Sequence, residues 1–74
     1  MKEYAIVIHR GEPGQIAWGA TVPDLPGCVS VGDTLEELKA NIREAIELHL
    51  EGLAAEGLPV PEPTSQVSTV AVAA

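Results

Sequence analysis

Apolar and polar positions in this chain alternate in twos at its start, in threes and fours through its middle, and in twos again toward its far end. From Glu3 to Arg10, Tyr4, Ile6 and Ile8 alternate with Ala5, Val7 and His9, so both faces are apolar and the segment reads as a central β-strand. Gly11-Glu12-Pro13-Gly14 is turn chemistry. Gln15 to Val22 then resumes the period of two, with Ile16, Trp18, Ala20 and Val22 on one face and Ala17, Gly19 and Thr21 on the other. Cys28-Val29-Ser30-Val31 supplies a third strand. A stripe of Leu38, Ile42, Ala45, Ile46, His49 and Leu53 follows at helical spacing, enough to cover one face of a sheet. Gln66 to Val72 returns to strand-like composition, and the uncharged Val70-Ala71-Val72-Ala73-Ala74 is suited either to this sheet or to the edge of a neighbouring subunit.

The punctuation between these segments is as informative as the segments. In Val22-Pro23-Asp24-Leu25-Pro26-Gly27-Cys28, two prolines fix φ near −65° and Gly27 opens backbone angles closed to other residues, which makes a rigid corner between strands two and three. Gly32-Asp33-Thr34-Leu35-Glu36-Glu37 ends a strand and starts a helix, because Thr34 and Glu37 form the S/T-x-x-E pattern of a capping box. The helix runs to about Glu56, where Gly57 suits a left-handed cap and Pro59 forbids continuation. Pro59, Pro61 and Pro63 mark an extended connector across the end of the domain. The expected fold is therefore α+β: a three-stranded antiparallel meander, one long helix packed on it, and a fourth, C-terminal strand. The 74 residues are expected to form one domain, with no C-terminal DNA-binding domain after it.

A domain of this size buries only about 60% of the surface its unfolded chain exposes, so help from a partner is expected. Trp18 and the valines and isoleucines on both strand faces exceed what one helix can cover, which predicts a homo-oligomer, a dimer or a tetramer built from dimers. Four Lys and Arg stand against eleven Asp and Glu, a net charge of −7 and the opposite of a nucleic-acid footprint. Direct nucleic-acid binding by this chain is not expected. One cysteine and two histidines make neither a disulfide nor a structural zinc site, and no signal or membrane segment is recognisable, so the chain reads as cytoplasmic. No cofactor, metal or small-molecule ligand is expected.

Two catalytic arrangements are conceivable and both have simpler readings. Cys28 with His9 and Asp24 would make a nucleophilic set, but a lone cysteine at a strand start usually packs as a small hydrophobe. Asp24, Asp33, Glu36 and Glu37 would hold divalent metal for phosphodiester cleavage, yet Asp33 and Thr34 suit a helix cap, Glu36 and Glu37 its dipole, and Asp24 a turn. His49 reads as a core histidine and His9 as a solvent or edge residue. Glu37, Glu44, Glu47 and Glu51 share one side of the helix, either a solvated face or a surface that steers a basic partner. Trp18 is either a core anchor or an interface hot spot. Candidate partner-binding residues are thus Trp18, Glu37, Glu44, Glu47 and Glu51, and no residue is assigned catalysis.

Tyr4 in an apolar first strand, the run Trp18 to Cys28, Gly32 to Glu37 and the downstream Pro59-x-Pro61 together resemble the HicB antitoxin family over about Met1 to Val72. The resemblance implies a partial RNase H-like fold. It also implies a partner, a small basic HicA toxin that resembles a double-stranded-RNA-binding domain and cleaves RNA with a histidine, which the antitoxin would inhibit by covering it. Pro23, Pro26, Gly27, Gly32, Thr34 and Glu37 carry over as fold-defining positions, beside Asp24 and Asp33 in the same motifs, and no catalytic residue carries over. The alternatives are a metal-dependent nuclease using the carboxylates near the corner, and a stand-alone oligomeric protein-binding module.

Overall fold

The computed structural model describes residues 2–12, 14 and 17–74, so the turn residue Pro13 and the strand positions Gln15 and Ile16 lie outside the described residues. Strands β1 (Val7–Arg10), β2 (Trp18–Thr21) and β3 (Val29–Gly32) form an antiparallel sheet in the order β1-β2-β3, followed by helix α1 (Leu35–Ala55). This is the α+β meander and packed helix that the periodicity predicts. The register places Ile8 opposite Ala20 and Ala20 opposite Ser30 on the helix side, and Val7, Thr21 and Val29 in a row on the other. The Gly11 N–H donates to the Ala17 carbonyl at 2.9 Å and closes the β1–β2 connection.

The corner between β2 and β3 is two consecutive turns. The Leu25 N–H donates to the Val22 carbonyl and the Cys28 N–H to the Leu25 carbonyl, both at 3.0 Å. Pro26 and Gly27 occupy the centre of the second turn, and Gly27 has φ +84°, the left-handed value that a type II turn demands at that position. This geometry drives Leu25 inward until it is fully buried. There it joins Ala20, Val22, Cys28, Leu38 and Ile42 in the core, with Tyr4, Ile6, Trp18, Ala45, Ile46 and Leu50 packed around them.

Helix α1 begins as the sequence predicts. The Thr34 hydroxyl accepts from the Glu37 N–H at 3.1 Å, and Glu36 and Glu37 sit in the first turn, where the helix dipole favours negative charge. It ends in a Schellman motif: Gly57, at φ +70°, donates to the Ala54 carbonyl and Leu58 to the Leu53 carbonyl. The helix lies on β3 and β2 and does not reach β1. Asn41 ties it to β3 by donating its side-chain N–H to the Val31 carbonyl at 2.9 Å. The closest approach is at Gly32, where a Cβ would stand 2.6 Å from the Leu38 nitrogen and 2.9 Å from its Cα. Glycine at position 32 is what lets the helix start directly over the strand it follows.

Two expectations are corrected. The first strand is shorter than Glu3 to Arg10 and lies at an edge, with β2 in the centre. Its apolar second face is open to solvent rather than covered. The predicted fourth strand, Gln66 to Val72, has no ladder partner, and residues 58–74 carry no strand. The physical cause is the path of the preceding connector, residues 59–65, which is pinned across the end of the sheet. The Tyr4 hydroxyl donates to the Pro61 carbonyl at 2.6 Å and Lys2 pairs with Glu62 at 2.9 Å, both beside the start of β1. Thr64 and Ser65 are then held by Asp24 in the β2–β3 corner. The chain has crossed to the corner between β2 and β3 before residue 66, away from the open edge of β1.

Candidate functional site

The solvent face of α1 carries a row of exposed acidic side chains. A helix advances 100° per residue, so Glu37, Glu44, Glu47 and Glu51 fall within a band of about 80°, roughly opposite the buried Leu38 and Ile42. The band extends about 20 Å along the axis. All four glutamates are exposed. Arg43 bonds Glu47 at 3.3 Å across one turn, a solvent-exposed pair worth little to stability. Leu48 lies at the edge of the band, one turn after Glu44 and one turn before Glu51, and is 60% exposed. An exposed aliphatic side chain flanked by Glu44 and Glu51 offers a basic partner both an anchor and steering charge. Leu48 lies off the core stripe, and its position between Glu44 and Glu51 is the sequence signal that would have marked it.

Trp18 lies elsewhere. It is half-buried on β2 against the core, and the Arg10 guanidinium stands 5.2 Å from its ring centre in a cation–π arrangement. The structure brings Glu37, Glu44, Glu47 and Glu51 together on one face and separates Trp18 from them. A second apolar surface is the uncovered side of the sheet, where Val7, Val29 and Val31 are exposed.

The residues with conceivable chemistry are occupied structurally. Cys28 is buried in the core, and burial pushes its thiol up, away from the thiolate a nucleophile needs. His9 is exposed on β1, and His49 is half-buried on α1. Asp33 stands beside the Thr34 cap. Among the described residues, no group of three or more His, Cys, Asp or Glu side chains is placed to hold a metal ion.

Asp24 is the residue whose role exceeds what its local sequence suggests. One carboxylate oxygen accepts the backbone N–H groups of Thr64 and Ser65 at 3.1 and 3.0 Å, and the other accepts their hydroxyls at 3.3 and 2.8 Å. The Ser65 N–H, its hydroxyl and then the Thr64 groups bond the charged form, which holds the Asp24 carboxyl below its usual 3.8. A depressed folded-state pKa means that this contribution is complete above the unfolded value and disappears as pH falls through the folded one. The strap over residues 61–65 is therefore expected to loosen below about pH 4. Asp24→Asn should raise amide exchange at Thr64 and Ser65 at least tenfold at neutral pH and abolish the acid transition, while the helix signal stays intact. Unchanged exchange in that variant would contradict the clamp.

The model of the HicB_like antitoxin of bacterial toxin-antitoxin system matches residues 4–73. The chain belongs to the HicB-like antitoxin family. A chain of the "HicA3 and HicB3 toxin-antitoxin complex" has the same fold at TM-score 0.69 and 28% identity, over 85% of this chain and 70% of that one. An uncharacterized 14.9 kDa protein of Haemophilus phage HP1 is 43% identical over 85% of this chain, which spans 47% of the phage protein. A UPF0150 protein of Synechocystis is 46% identical over 80% of this chain and 72% of its own length. The chain thus spans about half of the phage relative and about seven-tenths of the cyanobacterial one. The Pro-Gly corner, Gly32 and the Thr34 cap all fall within the region matched to the family. Among the described residues, no helix is long and apolar enough to cross a membrane.

Proposed function

We propose that this chain is the antitoxin of a toxin–antitoxin pair and that it binds a small, basic HicA-type toxin that cleaves RNA, inhibiting it by covering its surface. The observation that carries this reading is the band of Glu37, Glu44, Glu47 and Glu51 beside the exposed Leu48 on a chain of net charge −7. A toxin surface built to hold RNA phosphates is cationic, and a carboxylate band on a rigid helix competes for the same groups. Leu48 supplies the desolvated contact that ion pairs at the rim do not. The inhibition is stoichiometric masking in the cytoplasm, and the chain itself catalyses no reaction. The metal-dependent nuclease alternative has little support: the Asp24 carboxylate it would need is engaged by Thr64 and Ser65.

Calorimetric titration of the folded chain into the proposed partner, a small basic HicA-type toxin, tests the proposal. One-to-one binding is expected, with an affinity that falls about tenfold or more between low and high salt. Absence of binding by folded protein would overturn it.

A further inference from the structure

The two edges of the sheet differ in what they leave open and in the charge that borders them. Between β2 and β3 the Val22 N–H donates to the Cys28 carbonyl, and an antiparallel ladder alternates from there. Ala20–Ser30 and Trp18–Gly32 are therefore the bonded pairs, and Val29 and Val31 turn their N–H and C=O groups outward. Among the described residues, no strand pairs with β3 on that side. One of the four outward groups is taken, because the Val31 carbonyl accepts the Asn41 side-chain N–H at 2.9 Å. The Val29 N–H and C=O and the Val31 N–H are left for a neighbour, along about 7 Å of edge.

Asn41 also fixes what stands beside this edge. Residues three and four apart are neighbours on a helix, so Glu37 and Glu44 lie on either side of Asn41 along α1. Both are exposed, as is Asp33 at the end of β3. β3 itself carries no charge, whereas β1 carries Arg10 and no acid. The sheet thus has an acid-bordered edge at β3 and a basic one at β1.

We propose that the outer edge of β3 receives an extended, lysine- or arginine-bearing segment of the basic partner, paired through the Val29 N–H and C=O and the Val31 N–H, with its cations against Glu37 and Glu44. The assignment rests on the toxin-binding reading of α1 and names where on the fold the same partner also pairs. Asn41 joins the β3 edge to the acidic side of α1, so one partner surface meets both. Backbone pairing supplies affinity whatever the side chains, and the bordering carboxylates select the occupant. A second copy of this chain would bring another net charge of −7 to an edge already bordered by acids. Asn41 ends the ladder at Val31, so an uncharged strand finds few backbone partners there and the edge stays protected from indiscriminate pairing.

Amide exchange on the isotope-labelled full chain, free and with one equivalent of a small basic HicA-type toxin, tests this assignment. In the complex the Val29 and Val31 amides should exchange at least tenfold more slowly, while Ile8 and Arg10, the outward amides of β1, keep their rates. Val29→Pro removes an outward donor and no bond of the β2–β3 ladder, and should weaken toxin binding at least tenfold with the helical signal unchanged. Should that variant misfold, exchange on the wild-type chain decides alone. Toxin binding without protection at Val29 and Val31, or undiminished binding by folded Val29→Pro, would overturn the β3 assignment and leave the toxin reading standing; no binding at all would overturn both. Protection of the same amides in the free chain, growing with its concentration, would give the edge to a second copy and overturn the assignment as well.

Discussion

Gly32→Ala is expected to lower the stability of this domain by about 3 kcal/mol, a loss that overpacking against rigid neighbours reaches. The added methyl would lie 2.6 Å from the Leu38 nitrogen, 2.9 Å from its Cα and 3.1 Å from the Glu37 carbonyl carbon. All three are backbone atoms in the first turn of α1, so no side chain can swing aside. The helix must lift off β3, and Leu38, which is fully buried, lifts with it. For a domain of this size such a loss lowers the melting temperature by roughly 12–24 °C. Total stability of small domains is about 5–15 kcal/mol, so the variant approaches the folding threshold. Thermal melting followed by circular dichroism checks this; a shift under about 3 °C would mean that the helix does not start where the structure places it.

Leu48→Asp combined with Glu44→Lys and Glu51→Lys is expected to weaken toxin binding at least a hundredfold while leaving the fold intact. All three side chains face solvent, and none touches the core. The leucine change removes the anchor, which for a hot spot costs about 2 kcal/mol or more. The two reversals replace attraction to a basic surface by repulsion and slow the encounter. Separating the terms is direct: Leu48→Asp alone should act mainly on the dissociation rate, and the paired reversals mainly on the association rate and its salt dependence. Surface plasmon resonance at two salt concentrations distinguishes them. Equal affinity of the triple variant and the wild type would remove α1 as the docking face.

What could be read from the residues alone was the local chemistry. Pro26-Gly27, Thr34 and Gly57 each determine backbone geometry within a few residues, and each is found where the sequence places it. The core stripe of α1 is legible for the same reason, since helical spacing alone decides which side chains share a face. Pairing is a different kind of information. Alternation marks Glu3 to Arg10 and Gln66 to Val72 as strand-competent but says nothing about which neighbour completes the ladder, so β1 was expected at the centre and the last segment in the sheet. Asp24 shows the same limit within the candidate chemistry. Its sequence neighbours make it a turn residue, while its hydrogen-bond partners lie 40 and 41 positions away. The acidic side of α1 was legible as a face, but Trp18 was grouped with it only because both carry residue types common at interfaces. The pleat of β2 turns Trp18 toward the core instead.

The measurement that bears most directly on this account is the cleavage of RNA by the proposed partner, a small basic HicA-type toxin, titrated with the purified protein and, in parallel, with the Leu48→Asp, Glu44→Lys, Glu51→Lys variant. Cleavage is expected to fall linearly to background at one equivalent of wild-type chain and to persist at ten equivalents of the folded variant. Full cleavage in the presence of excess folded wild-type chain would contradict the account.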